Sequence, residues 1–74
     1  MKADDPKEMS WAQEYRMNWI DEMLRLYGFI NRRHIMMKFR VSVPQANADL
    51  SVYKKLHAET VHYDASAKVY RLNS

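Results

Sequence analysis

Gln45 and Asn47 stand close together in a stretch whose other side chains are mostly small: Pro44, Ala48 and Ser51. A side-chain amide donates and accepts at once. That matches the major-groove edge of adenine, where the N7 acceptor sits beside the N6 donor. Arg33 and Arg40 precede the pair, and Lys54 and Lys55 follow it. Cations so placed suit phosphate oxygens, which hold a protein in register on a duplex without reading its sequence. At about 100° per residue, Pro44, Ala48, Ser51 and Lys55 fall on one face of a helix, flanked by Gln45, Asn47 and Val52. Ala46, Leu50 and Tyr53 fall on the opposite face, with Val43 near it. A helix on a free surface more usually carries Glu and Lys in i, i+4 pairs. This outer face suits close contact with something flat and polar.

Other chemistry finds little support. The imidazoles, His34, His57 and His62, include no i, i+4 pair of the kind that holds zinc on a helix, and none has a paired Glu. His57 reads as packed near the buried face of its helix and His62 as pointing outward. Neither a metal nor a cofactor is expected. A single glycine rules out a glycine-rich phosphate cradle and a Gly-x-Ser-x-Gly nucleophile turn, so the chain does not read as an enzyme. Asp49 is the odd residue on the reading helix, because a carboxylate aimed at phosphate is repelled. The expectation is a structural ion pair with Arg32, Arg33 or Arg40; accepting from a cytosine amino group is the alternative.

Three helices must position these groups. Ser10 with Gln13 forms a capping-box pattern ahead of the first, which carries Ile20, Met23, Leu24 and Tyr27 as one buried stripe and ends at Gly28. Trp11, Tyr15 and Trp19 repeat every four residues on an adjoining stripe. Core packing is their default reading, and a dimer contact the alternative. Asn31 caps the second helix, with Ile30 and Ile35 spaced as a hydrophobic staple. Ile35 and Phe39 point inward and Met37 outward. Arg40-Val41-Ser42 makes a turn without the usual glycine. Ser42 with Gln45 is a second capping-box pattern, and Pro44 lies in the first turn, where its missing N–H costs nothing.

Beyond His57 the period changes to two. Residues 60–64 and 68–72 alternate about the sequence Asp-Ala-Ser-Ala, a hairpin on which Lys68 and Arg71 are placed to reach phosphates and Tyr63 and Tyr70 to pack on the helices. The fold expected is α+β and mostly α: a winged helix-turn-helix, three helices followed by a two-stranded β-hairpin wing. Residues 1–9 read as a flexible arm and 10–74 as the domain.

Composition agrees. The 74 residues lack cysteine, which excludes disulfides and thiolate metal sites, so aromatics must supply much of the core. Residues 1–27 hold four Lys/Arg against six Asp/Glu, a net of −2, whereas residues 28–74 hold eight against three, a net of +5. The positive part begins with the helix-turn-helix, as a nucleic-acid partner would require. No apolar run approaches a membrane span and no secretory signal opens the chain, so a soluble, cytoplasmic, nucleoid-associated protein is expected.

The string Ile30-Asn31-Arg32, the run Val41-Ser42-Val43-Pro44-Gln45-Ala46-Asn47-Ala48-Asp49-Leu50-Ser51-Val52-Tyr53 and the wing Tyr63-Asp64-Ala65-Ser66-Ala67-Lys68-Val69-Tyr70 resemble a known pattern. They are similar to the N-terminal winged helix of bacterial WYL-domain transcriptional regulators, including those beside phage-defence genes. The Val-Ser and Asp-Leu part also fits DeoR-type regulators. The resemblance spans residues 10 to 72. It implies a homodimeric repressor on an inverted repeat of double-stranded DNA, with Pro44, Gln45, Asn47 and Ser51 facing bases and Ser66 and Lys68 at the wing tip. Family members continue into a WYL ligand-sensing domain. The chain is therefore expected to be either the excised domain, whose missing partner is that C-terminal part, or a stand-alone relative. The alternatives carried beside a repressor are a protein-binding winged helix and a phage-type architectural factor for recombination.

Overall fold

Three side chains start the three helices, and each is visible in the computed structural model of the chain, which describes residues 10–73. Ser10 accepts from the backbone N–H of Gln13 and opens α1 (Trp11–Tyr27); Asn31 accepts from that of His34 and opens α2 (Arg32–Phe39); Ser42 accepts from that of Gln45 and opens α3 (Val43–Leu56). Each satisfies one orphan donor of a helix N-terminus. The reciprocal half of the box appears at a place the pattern did not single out. The backbone N–H of Asn31 donates to Nδ1 of His34, while the Gln45 side chain goes elsewhere. The arm expected over residues 1–9 lies outside the described residues.

Gly28 closes α1 at φ 83°, a left-handed value that glycine adopts without strain, and its N–H caps the Leu24 carbonyl. Arg40 does the same for α2 at φ 56°. The glycine missing from the turn is thus replaced by an arginine that accepts the left-handed conformation at a cost of about 1 kcal/mol.

The chain leaves Gly28 straight into a short strand, β1 (Phe29–Ile30), which the sequence did not disclose. After α3 come β2 (Val61–Asp64) and β3 (Val69–Leu72). The sheet is antiparallel in the order β1-β3-β2, with Ile30 opposite Tyr70 and Tyr63 also opposite Tyr70. The wing is therefore the larger part of a three-stranded sheet rather than a free hairpin. Two residues are too few to show a period.

The core gathers Met17, Ile20 and Leu24 of α1, Ile30, Ile35, Ala46, Leu50 and Tyr53 of α3, and Val61. The staple residues Ile30 and Ile35 are both fully buried. Phe39 packs against this cluster and Met37 is exposed, as their spacing indicates. Three expectations fail. Tyr27 is exposed despite sitting on the Ile20–Leu24 stripe. Val43 is exposed at the start of α3. Tyr63 is exposed and leans on Tyr70 at 4.9 Å between ring centres instead of packing on a helix; Tyr70 alone reaches the core.

Candidate nucleic-acid interface

The face of α3 away from the core is built as its period requires. Pro44, Asn47, Ala48, Ser51, Lys54 and Lys55 are exposed, and Gln45 is half-buried on the flank toward α1. Ser42 is exposed beside them, its Oγ engaged as the cap of α3. On the other flank a cleft of about 690 Å³ runs between α3, the N-terminus of α2 and the wing, lined among others by Arg32, Arg33, Asn47, Tyr63 and Lys68. Arg33, Asn47 and Lys68, which lie far apart in sequence, are thus brought to one surface. Arg40 stands exposed at the α2–α3 turn, outside the cleft.

Arg32 and Tyr63 line the cleft as well, beyond the contact residues expected from sequence. A signal for Arg32 was present. The first turn of α2 holds no acidic residue and two arginines, the arrangement a helix dipole disfavours.

The wing tip is a tight turn. Asp64 accepts from the backbone N–H groups of Ser66 and Ala67, and Lys68 takes a left-handed φ of 60° and donates its N–H to the Asp64 carbonyl. Ser66 and Lys68 are exposed there. Arg71 is not free for phosphate as expected. Its Nε donates to Asp64 Oδ2 at 2.8 Å and its guanidinium lies over the Phe29 ring. The Arg71 bond, with the Ala67 and Ser66 N–H groups, holds the Asp64 carboxyl below the usual carboxylate range.

Asp49 is structural, with a partner the sequence did not indicate. It is wholly buried and gripped by Arg16 of α1, Nε to Oδ2 at 2.6 Å and Nη2 to Oδ1 at 3.1 Å. Arg32, Arg33 and Arg40 do not reach it, because Asp49 faces α1 and those arginines sit on α2 and its turn. The same Oδ1 accepts from Gln45 Nε2 at 3.0 Å. One turn further on, the Tyr53 hydroxyl donates to Asp21 Oδ1 at 2.7 Å. That bond, with Arg25, keeps Asp21 below the usual carboxylate range, and burial followed by the Asp21 contact raises the Tyr53 phenol.

On α1 the Trp11–Tyr15–Trp19 stripe is only partly core. Trp11 is 78% exposed and Tyr15 54% exposed, stacked on each other at 5.7 Å, while Trp19 and Tyr15 meet Phe39 edge-on. The default reading of core packing fails for Trp11 and Tyr15. His57 stacks on Tyr53 and His62 is exposed, each as read from its position. No helix among the described residues is long and apolar enough to cross a membrane.

Three helices with the last presented beside an antiparallel ribbon define a winged helix-turn-helix domain. The model of the BrxR transcriptional regulator winged helix-turn-helix domain matches residues 12–74, and the chain belongs to that family. It is 49% identical over 61 residues to the DNA-binding transcriptional repressor CapW of Escherichia coli, covering 82% of this chain and 20% of that protein. It is 37% identical over 70 residues to CapW of Stenotrophomonas maltophilia, covering 95% of this chain and 23% of the relative. With CapW of Pseudomonas aeruginosa the identity is 46% over 61 residues, 82% of this chain and 20% of the relative. The chain thus spans about a fifth of the length of these relatives. The resemblance to WYL-type regulators drawn from its motifs holds.

Proposed function

We propose that this domain binds double-stranded DNA in a sequence-specific manner, as the reading module of a dimeric transcriptional repressor on an inverted repeat. Helix α3 lies in the major groove and the wing tip at its edge. The observation that carries this reading is the outer face of α3, small and polar between two side-chain amides, beside a cleft holding Arg32, Arg33 and Lys68. The names of the relatives, DNA-binding transcriptional repressors, support it. Asn47 and Gln45 read base edges; Arg33, Arg40, Lys54, Lys55 and Lys68 meet phosphates, with Ser42 and Ser66 close by. Pro44, Ala48 and Ser51 allow the helix to come close. A regulator of this kind works on cytoplasmic, nucleoid-associated DNA and catalyses nothing.

A single module buries little surface, so affinity is expected to come from two copies on two half-sites. The exposed Trp11–Tyr15 stack favours a protein contact on α1, which serves the two-fold partner or the remainder of a longer regulator. The test is selection of a randomised duplex pool by the chain at two salt concentrations. An enriched inverted repeat is the expected result; salt-sensitive binding without enrichment indicates an architectural role, and no binding indicates a protein-interaction domain. With the operator in hand, Asn47→Ala costs about 1–3 kcal/mol at one base position. Lys55→Ala weakens binding to all sequences alike and lowers the salt slope by roughly one. Identical behaviour of the two variants would refute this division of roles.

A further inference from the structure

Asp49 has no access to a base or a phosphate, yet it touches the one amide on the α1 flank of the reading face. Its carboxylate can only accept. Toward Asp49 the Gln45 side chain must therefore present Nε2 and not Oε1, and the hydrogen bond at 3.0 Å has that polarity. Arg16 fixes the carboxylate itself through two bonds, so the acceptor cannot swing away. Among the described residues nothing engages Oε1. Gln45 is thus left with one acceptor and one remaining N–H for any group outside the protein.

We propose that Asp49, clamped by Arg16, is a positioning residue that sets the hydrogen-bonding polarity of Gln45 and so selects a base with an exocyclic amino group, adenine foremost. The inference rests on the DNA-binding reading above. Adenine presents an amino donor and the N7 acceptor, which an oxygen and a single N–H satisfy together. Guanine presents two acceptors, N7 and O6, which call for two donors. With one Nε2 hydrogen taken by Asp49, Gln45 has one to give. Asn47, on the cleft flank, has no such tether among the described residues and serves as the internal control.

The experiment has two parts. The first needs no DNA: in the ¹⁵N–¹H spectrum of the chain, one Gln45 side-chain amide proton is expected to shift downfield and exchange slowly, and to lose both properties in Arg16→Met combined with Asp49→Leu, which leaves Nε2 no acceptor at that place. A Gln45 amide identical in the two proteins would overturn the proposal. The second compares affinity for the selected operator with each of the four bases at the Gln45 position. Wild type is expected to prefer adenine over guanine by roughly tenfold. Gln45→Met should flatten that position alone. Arg16→Met combined with Asp49→Leu should erase the discrimination against guanine while leaving the Asn47 position unchanged. Should that double variant not fold, Arg16→Met combined with Asp49→Met removes the charge pair with a more flexible side chain and still frees Gln45. An unchanged base profile in the folded variants, with the wild type still reading an operator, would defeat this inference and spare the DNA-binding reading. A wild type without any sequence preference would defeat both.

Discussion

Two Arg–Asp pairs, the first made through two hydrogen bonds and the second through one, hold different parts of this small domain. Arg16 and Asp49 join α1 to α3 at 2.6 Å with side chains 14% and 0% exposed; Arg71 and Asp64 brace the wing at 2.8 Å with side chains 42% and 27% exposed. The chemistry is the same and the surroundings are not. Water competes for the second pair and screens it, so its removal leaves both groups solvated. Removing one member of the first strands a charge in the interior. The inner pair ties α3 to α1, while the outer pair braces the turn of the wing.

Three variants sharpen or break this contrast. Arg16→Met alone is expected to destabilise the domain by about 3–5 kcal/mol in urea unfolding, and the double change with Asp49→Leu to recover most of that loss. Equal stability of Arg16→Met and wild type would break the contrast. Tyr53→Phe tests the other tie between α1 and α3. It removes one bond to Asp21, a carboxylate that keeps Arg25 and partial access to water, so about 1 kcal/mol is expected. Arg71→Gln should have the smallest effect. A loss comparable with that of Arg16→Met would mean that burial does not rank these pairs.

Acid offers a reading of the same contrast. Asp21 and Asp64 are both held below their ordinary range, Asp21 chiefly by Tyr53 and Asp64 chiefly by Arg71. A depressed carboxyl contributes its stabilisation in full above its unfolded value of about 4 and loses it as pH falls through the folded value. The urea midpoint should therefore decline below about pH 4, and less steeply in Asp21→Asn and in Asp64→Asn than in wild type. An identical acid limb in both variants would show that neither bond survives in solution.

What was legible in the sequence follows from range. Caps are local, and Ser10, Asn31 and Ser42 each start the helix their side chains announce. The outward face of α3 follows from periodicity alone. Periodicity gives a direction and says nothing of what stands opposite, which is why Tyr27 and Val43 were placed inside. The partner of Asp49 lies 33 residues away in sequence, beyond any local rule, and the nearer arginines drew the assignment. The Gln45–Asp49 contact was within reach, since the residues are four apart on a helix. The capping-box pattern of Ser42 and Gln45 claimed that side chain first. The strand Phe29–Ile30 was too short to show.

Strand β3 is the last of the sheet in sequence and the middle one in space. For a chain made from its N-terminus, β1 and β2 have no ladder to join until residues 69–72 have left the ribosome. The helices can form and collide before then, but the two ends of the sheet must wait with their edges open. The closing of the wing therefore follows the synthesis of β3. Without β3 the sheet would lose the strand that ties β2 to β1.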